Sequence, residues 1–207
     1  MLADASGLLL TDGEMQVRAD FGHLAKRIRS GSLQRELLVK AARVKGAPEP
    51  TAIDATAGFG EDSLLLAAAG FRMTLYERNP VIAALLEDAV LRARDVPGLS
   101  EAALRMEVVA GDSVAALPHL PLRPDVVFLD PMFPAKRGDA RAKKKLQLIQ
   151  RLEQPCDDES ALLEAALGAH PHKVVVKRPL KGPYLADRKP SYSLKGTTIR
   201  YDCYVQA

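Results

Sequence analysis

From residue 50 onward, runs with strand character alternate with helical periodicity, and this alternation restricts the fold more than any other feature of the chain. TAID (51–54) is a short apolar run ending on an acid, followed by a glycine-containing turn. A helix is expected over 62–69, closed by Gly70. FRMTLYE (71–77) reads as a strand, and Pro80 opens a helix through VIAALLEDAVLRA. RMEVVAG (105–111) is a third strand and DVVFLD (125–130) a fourth, whose unbroken apolar run suits burial on both faces. Helices are expected over 141–152 and 159–168, and HKVVVKRP (172–179) is a fifth strand. Strand signals at 191–195 and 198–205 predict a closing antiparallel hairpin. The pattern implies right-handed crossovers and an α/β, doubly wound, mostly parallel sheet of seven strands. Ligands bind such sheets beyond the carboxyl ends of the strands, near the switch point. Residues 54–62, 77–79, 111–113, 130–134 and 177–179 are therefore the places to look for chemistry.

Residues 1–50 lack this alternation. Their segment 22–46 is basic, with a helix expected over 33–44, and reads as an N-terminal arm ahead of a single domain at 51–207. The 207 residues, 47% of them hydrophobic, are enough for one sizeable core. A formal net charge of +3 says little by itself. Two cysteines, Cys156 and Cys203, stand far apart, and four scattered histidines have no companion ligands, so neither a disulfide framework nor a metal site is expected. The start carries no basic region ahead of a long apolar run, and no stretch reaches the 18 or so apolar residues of a membrane span. The expectation is a cytoplasmic protein.

The first strand runs into Asp54-Ala55-Thr56-Ala57-Gly58-Phe59-Gly60. Small residues and two glycines let backbone approach a ligand closely. The dinucleotide fingerprint is only partly met, because Ser63 holds the third glycine position. Asp54, Glu61 and Asp62 place three negative charges around the loop, which disfavours a phosphate. They suit a ligand with a sulfonium and an ammonium group. Glu77 ends the second strand about twenty residues on, where a carboxylate can accept from both ribose hydroxyls. Gly111-Asp112-Ser113, after the third strand, is placed to receive an adenine edge. A lone Gly-x-Gly would mark only a tight turn; Glu77 at that distance points to S-adenosylmethionine.

Asp130-Pro131-Met132-Phe133-Pro134 follows the fourth strand. The exocyclic amine of a base is a poor nucleophile, because its lone pair is delocalised into the ring. Two acceptors must hold its hydrogens and turn the lone pair toward the methyl group. Asp130 and the Pro131 carbonyl can supply them. The prolines stiffen the loop, and Phe133 offers a face on which a splayed-out base can stack. Asp-Pro alone is a common turn; Asp-Pro-x-Phe after this strand is far more specific.

Six of the eleven residues 135–145 are basic, Lys136, Arg137, Lys143 and Lys144 among them. Lys177, Arg178, Lys181, Arg188 and Lys189 lie in and after the fifth strand, and Lys26, Arg27 and Arg29 in the N-terminal segment. Any one cluster is most simply a solvated face. Three beside one site predict a phosphate-binding surface, with Lys136, Arg137, Lys143, Lys144, Lys177 and Arg178 as its contacts.

Taken together, DATAGFGEDS, LYERNPVIAALLEDAV, VVFLDPMFPAKR and VVVKRP resemble the ribosomal RNA small subunit methyltransferase J family, in the same order and over roughly residues 20–205. This chain has a shorter leading segment than that family usually carries. The resemblance implies the class I (Rossmann-like) methyltransferase fold and S-adenosylmethionine as donor. It implies cofactor contacts at Glu61, Asp62, Glu77, Arg78, Asp112, Ser113 and Asp130, besides the loop residues Asp54, Gly58 and Gly60. It also implies a guanine N2 in 16S ribosomal RNA as target, with ribosomal RNA or the small subunit as partner. The residues alone leave open a same-class enzyme acting on DNA adenine or a protein amide, an NAD-dependent oxidoreductase, and a non-catalytic RNA-binding module.

Overall fold

A computed structural model describes residues 1–131 and 158–206. The central sheet holds seven strands among the described residues. In chain order they are β4 (Thr51–Asp54), β5 (Arg72–Glu77), β6 (Met106–Ala110), β7 (Val126–Leu129), β8 (Lys173–Pro179), β9 (Tyr192–Lys195) and β10 (Ile199–Val205). Their spatial order is β6-β5-β4-β7-β8-β10-β9. The first five are parallel, and β10 runs antiparallel between β8 and β9. The chain thus builds outward from β4 in one direction, then returns to add β7 on the other side. That reversal puts the switch point between β4 and β7.

Strand alternation sorts the core into two layers, as a period of two demands. Val126 and Phe128 pack on one face, with Ala52, Leu75, Val175 and Tyr201. Val127 and Leu129 pack on the other, with Ile53, Val174 and Val176. All four side chains of β7 are buried, as its unbroken apolar run predicts.

The first face is covered by α3 (Glu61–Ala68), α4 (Pro80–Ala93), α5 (Ser100–Ala103) and α2 (Leu37–Ala42). In α4, Asn79 is the N-cap and its Oδ1 accepts from Val81 N at 3.0 Å, with Pro80 at the first helical position. Ile82, Ala83, Leu85, Leu86, Ala89, Val90 and Ala93 form its buried stripe at helical spacing. Each large member of that stripe contributes roughly 1.5–3 kcal/mol through burial. The second face is covered by α6 (Ser113–Ala116) and by α7 (Glu159–Gly168), whose N-cap Asp158 accepts from Ala161 N at 2.8 Å. The helix expected over 141–152 lies outside the described residues.

The N-terminal segment departs from a simple arm. Residues 2–17 form a small antiparallel sheet of β1 (Leu2–Asp4), β2 (Gly7–Thr11) and β3 (Gln16–Val17). The helix expected over 33–44 is two short helices, α1 (Ser30–Leu33) and α2, separated at 34–36. Ala19, Phe21, Leu24, Leu38, Ala41 and Ala42 belong to the main core, so the segment is packed onto the domain. Lys173, at the start of β8, is buried and donates to the carbonyls of Ala41 at 2.8 Å and Arg43 at 2.9 Å, tying the end of α2 to the sheet.

Candidate active site

A cavity of about 730 Å³ opens at the carboxyl ends of β4–β8. Asp54–Asp62, Glu77–Pro80, Gly111–Val114, Asp130, Pro131 and Lys177 line it, so the segments singled out in the sequence converge on one place.

The loop after β4 is shaped from within. Asp54 is 2% exposed; it accepts from Thr56 N at 3.0 Å and from the Ser63 hydroxyl. The side chain at the third fingerprint position is therefore needed to hold the loop. Burial pushes the Asp54 carboxyl up to about 7, against the hydrogen bonds from Ser63 and Thr56. Thr56 Oγ1 accepts from Asp130 N at 2.7 Å, which joins the ends of β4 and β7 across the switch point. Ser113 donates to the Ala55 carbonyl at 2.7 Å and so ties the end of β6 to the same loop.

Gly58 and Gly60 both have positive φ, at 52° and 72°. A Cβ on Gly60 would stand 2.6 Å from Leu86 Cδ1 and 3.4 Å from Leu75 Cδ2, both fully buried side chains. Left-handed backbone costs roughly 1–2 kcal/mol for a residue with a side chain, and overpacking roughly 1–3 kcal/mol. Gly60→Ala is thus expected to lose about 2–5 kcal/mol of stability in a urea titration; a wild-type midpoint would show that the loop has another accessible shape.

Glu77 ends β5 and is 8% exposed. Its Oε2 accepts from Gly58 N at 3.0 Å and its Oε1 from Asn79 N at 2.8 Å. Burial raises its pKa, while those backbone donors oppose the rise. Glu77 lines the cavity, and each of its carboxylate oxygens has a lone pair beyond the one these bonds use. Asp112 caps α6 through Val114 N at 2.9 Å and is exposed, as are Glu61 and Arg78. Glu61 lies 3.4 Å from His23 of the N-terminal segment.

The opposite wall is charged. Lys177 Nζ donates to Asp62 Oδ2 at 2.6 Å and to Asp130 Oδ2 at 2.9 Å. Burial works against its charge, but Asp130 and Asp62 outweigh burial and hold its pKa above the ordinary value. Burial raises the Asp130 carboxyl, and the Lys177 ammonium pulls it back. The buried Pro131 lines the cavity beside it.

Residues 6–206 match a protein-family model described as "Putative SAM-dependent methyltransferase". Over 194 residues the chain is 42% identical to the ribosomal RNA small subunit methyltransferase J of Aeromonas salmonicida (strain A449), covering 92% of this chain and 78% of that protein. It is 43% identical over 196 residues to the protein of the same name from Pseudomonas aeruginosa (strain LESB58), covering 93% and 75%. The chain belongs to the ribosomal RNA small subunit methyltransferase J family. A crystal structure of a SAM-dependent methyltransferase from Neisseria gonorrhoeae superposes with a TM-score of 0.75 at 34% identity, covering 95% of this chain and 77% of that one. The class I fold is thereby established, and the protein is an enzyme that uses S-adenosylmethionine.

The residues present fit that cofactor. Asp54, Glu61, Asp62, Glu77, Asp112 and Asp130 make the cavity predominantly acidic, against Lys177 and Arg78. Such a lining favours a ligand with a sulfonium and an ammonium over a pyrophosphate, which removes the main attraction of an NAD reading.

Two expectations for phosphate contacts need correction. Arg178 is 1% exposed: its guanidinium donates to the Pro183 carbonyl at 3.0 Å and to Glu159 Oε1 at 3.1 Å. It is a brace inside the fold. Lys177 points into the cavity and is held by two carboxylates, so its charge is internal to the site. Lys26, Arg29, Lys181, Arg188 and Lys189 are exposed, and Arg27 is paired with Glu36 at 2.8 Å. Phe133, Lys136, Arg137, Lys143 and Lys144 lie outside the described residues. Sequence reading missed Thr56 as the link to Asp130, and Tyr76, Val114 and Leu162 as cavity lining. An inward hydroxyl at Thr56 has no signature in a small-residue loop.

Proposed function

We propose that this enzyme methylates the exocyclic N2 amine of a guanine in small-subunit (16S) ribosomal RNA. One observation supports this most: Asp130 stands at the switch point with its backbone fixed by Thr56, its carboxylate facing the cavity that the cofactor loop lines. The printed names of the relatives point the same way.

S-adenosylmethionine, when bound, supplies an electrophilic methyl group. The chain's own residues do the rest. Asp54, Gly58, Gly60, Glu61 and Asp62 shape the pocket for the amino-acid end, Glu77 and Arg78 the ribose region, and Asp112 and Ser113 the adenine region. The Asp130 carboxylate and the Pro131 carbonyl accept the two amine hydrogens and turn the lone pair outward. Phe133 stacks on the base. Asp130 or water takes the proton once the nitrogen has become positive. Exposed Lys181, Arg188 and Lys189, with Lys136, Arg137, Lys143 and Lys144, receive RNA phosphates.

The expected result with tritium-methyl S-adenosylmethionine is transfer to small-subunit RNA or to the subunit, with mass mapping placing the label on one guanine N2. Label on DNA adenine or on a protein amide would move the enzyme to the other substrate class. No transfer to any of them would overturn catalysis by this site.

A further inference from the structure

Lys177 is a charged residue in the pocket that neither the cofactor contacts nor the amine acceptors account for. Its position follows from strand register. Val176 of β8 pairs with Leu129 of β7, so the next residues, Lys177 and Asp130, sit side by side where the parallel strands open into the cavity. Asp62 approaches from the first turn of α3, an end that favours a negative charge. The ammonium lies between the two carboxylates at 2.6 Å and 2.9 Å.

We propose that Lys177 is a positioning residue for methyl transfer: clamped between Asp62 and Asp130, its ammonium keeps the Asp130 carboxylate ionised and in place to accept a hydrogen of the target amine. This rests on the amine-methylation reading above.

The charges around the pair make a cation necessary. Burial opposes ionisation of Asp130 and Asp62 on α3 adds to it, while Asp54 on β4, its own carboxyl pushed up to about 7 by burial, supplies no positive charge. From β10, Tyr201 pairs with Lys177 across the strands; its phenol is held neutral, burial first and Asp62 next, so it brings no countercharge. Glu36, before α2, also raises that phenol's pKa and is itself paired with Arg27 at 2.8 Å. Among the described residues, Lys177 is thus the cation placed directly on Asp130. A protonated Asp130 would still offer an oxygen, but it would also present a hydrogen to an amine that needs acceptors. The clamp carries a net charge of one negative, so it remains compatible with a cationic cofactor. In the transfer itself the amine nitrogen gains the carbon, sulfur keeps the electron pair of the broken bond, and the amine's proton passes to the Asp130 carboxylate or to water.

The test titrates Asp130 directly and then reads the rate. Protein with ¹³C-carboxyl aspartate, without cofactor or RNA, is titrated as wild type, Lys177→Met and Lys177→Arg, with Asp130→Asn identifying the Asp130 signal. The Asp130 midpoint should move up in Lys177→Met and stay near wild type in Lys177→Arg. The kcat of Lys177→Met at pH 7 should fall roughly 100-fold. Its acid limb should move to higher pH with recovery on the alkaline side, and Lys177→Arg should restore most of the rate. Lys177→Gln serves in place of Lys177→Met should the latter not fold. An unmoved Asp130 midpoint, or a rate lost equally at every pH, would overturn the clamp. Should the midpoint move as expected while the wild type transfers no methyl to RNA, the clamp stands and the substrate reading falls.

Discussion

Asp130→Ala is expected to lower kcat for methyl transfer by at least about 100-fold while leaving the fold intact. The substitution removes the carboxylate but keeps the backbone nitrogen that donates to Thr56, so the junction between the ends of β4 and β7 survives. Lys177 keeps Asp62 at 2.6 Å and is not left as an unpaired charge. On the proposed mechanism the amine then loses one of its two acceptors, and the lone pair stays delocalised into the base for most encounters. The effect should fall mainly on kcat, because Asp54, Glu77 and the glycine loop, which line the cavity and are proposed to hold the cofactor, are unchanged. Binding of S-adenosylhomocysteine by calorimetry should weaken far less than the rate falls. Full activity in this variant would remove Asp130 from the chemistry, and unfolding at room temperature would show that the carboxylate holds the structure instead.

The elements that sequence revealed well are those whose signal is local. DVVFLD has only one burial pattern open to it, and β7 is buried throughout. The capped, periodic helix after Asn79 needs no distant partner to be recognised. Pocket residues at strand ends follow from topology, which is why Asp54, Glu77, Asp112 and Asp130 converge as expected. What was hidden depends on distant contacts. Lys177 finds its partners 115 and 47 residues away, at Asp62 and Asp130, so its strand-end position marks it for the site while the carboxylates that hold it stay hidden. Arg178 reads as surface charge until Glu159 and the Pro183 carbonyl enclose it. Alternation along VVVKRP carries a partial clue, since adjacent residues of a strand must face opposite layers. The N-terminal sheet escaped notice because its strands stand outside the strand–helix alternation by which central strands of similar length, such as β4 and β7, are recognised.

Arg200→Met is expected to destabilise the protein by about 3–5 kcal/mol, the usual cost of removing one member of a buried ion pair. Arg200 is 5% exposed and Asp202 is fully buried, with Nε to Oδ1 at 2.9 Å. The rest of the guanidinium holds a loop. It donates to the carbonyls of Pro179, Leu180, Gly182 and Pro183 at 2.8–3.1 Å, and it stacks 5.0 Å from the Tyr184 ring centroid. A methionine would fill much of the volume but leave four carbonyls without this donor, and Asp202 with only the Ser193 hydroxyl among these partners. That loop follows β8 directly and carries the exposed Lys181, with Arg188 and Lys189 just beyond. Loss of the brace should therefore do more than lower a urea midpoint. KM for RNA should rise with the freedom of those side chains, while affinity for S-adenosylhomocysteine, set at the other strand ends, stays near wild type. A large loss of stability with unchanged KM for RNA would separate the brace from RNA docking. An unchanged urea midpoint would contradict the buried pair itself.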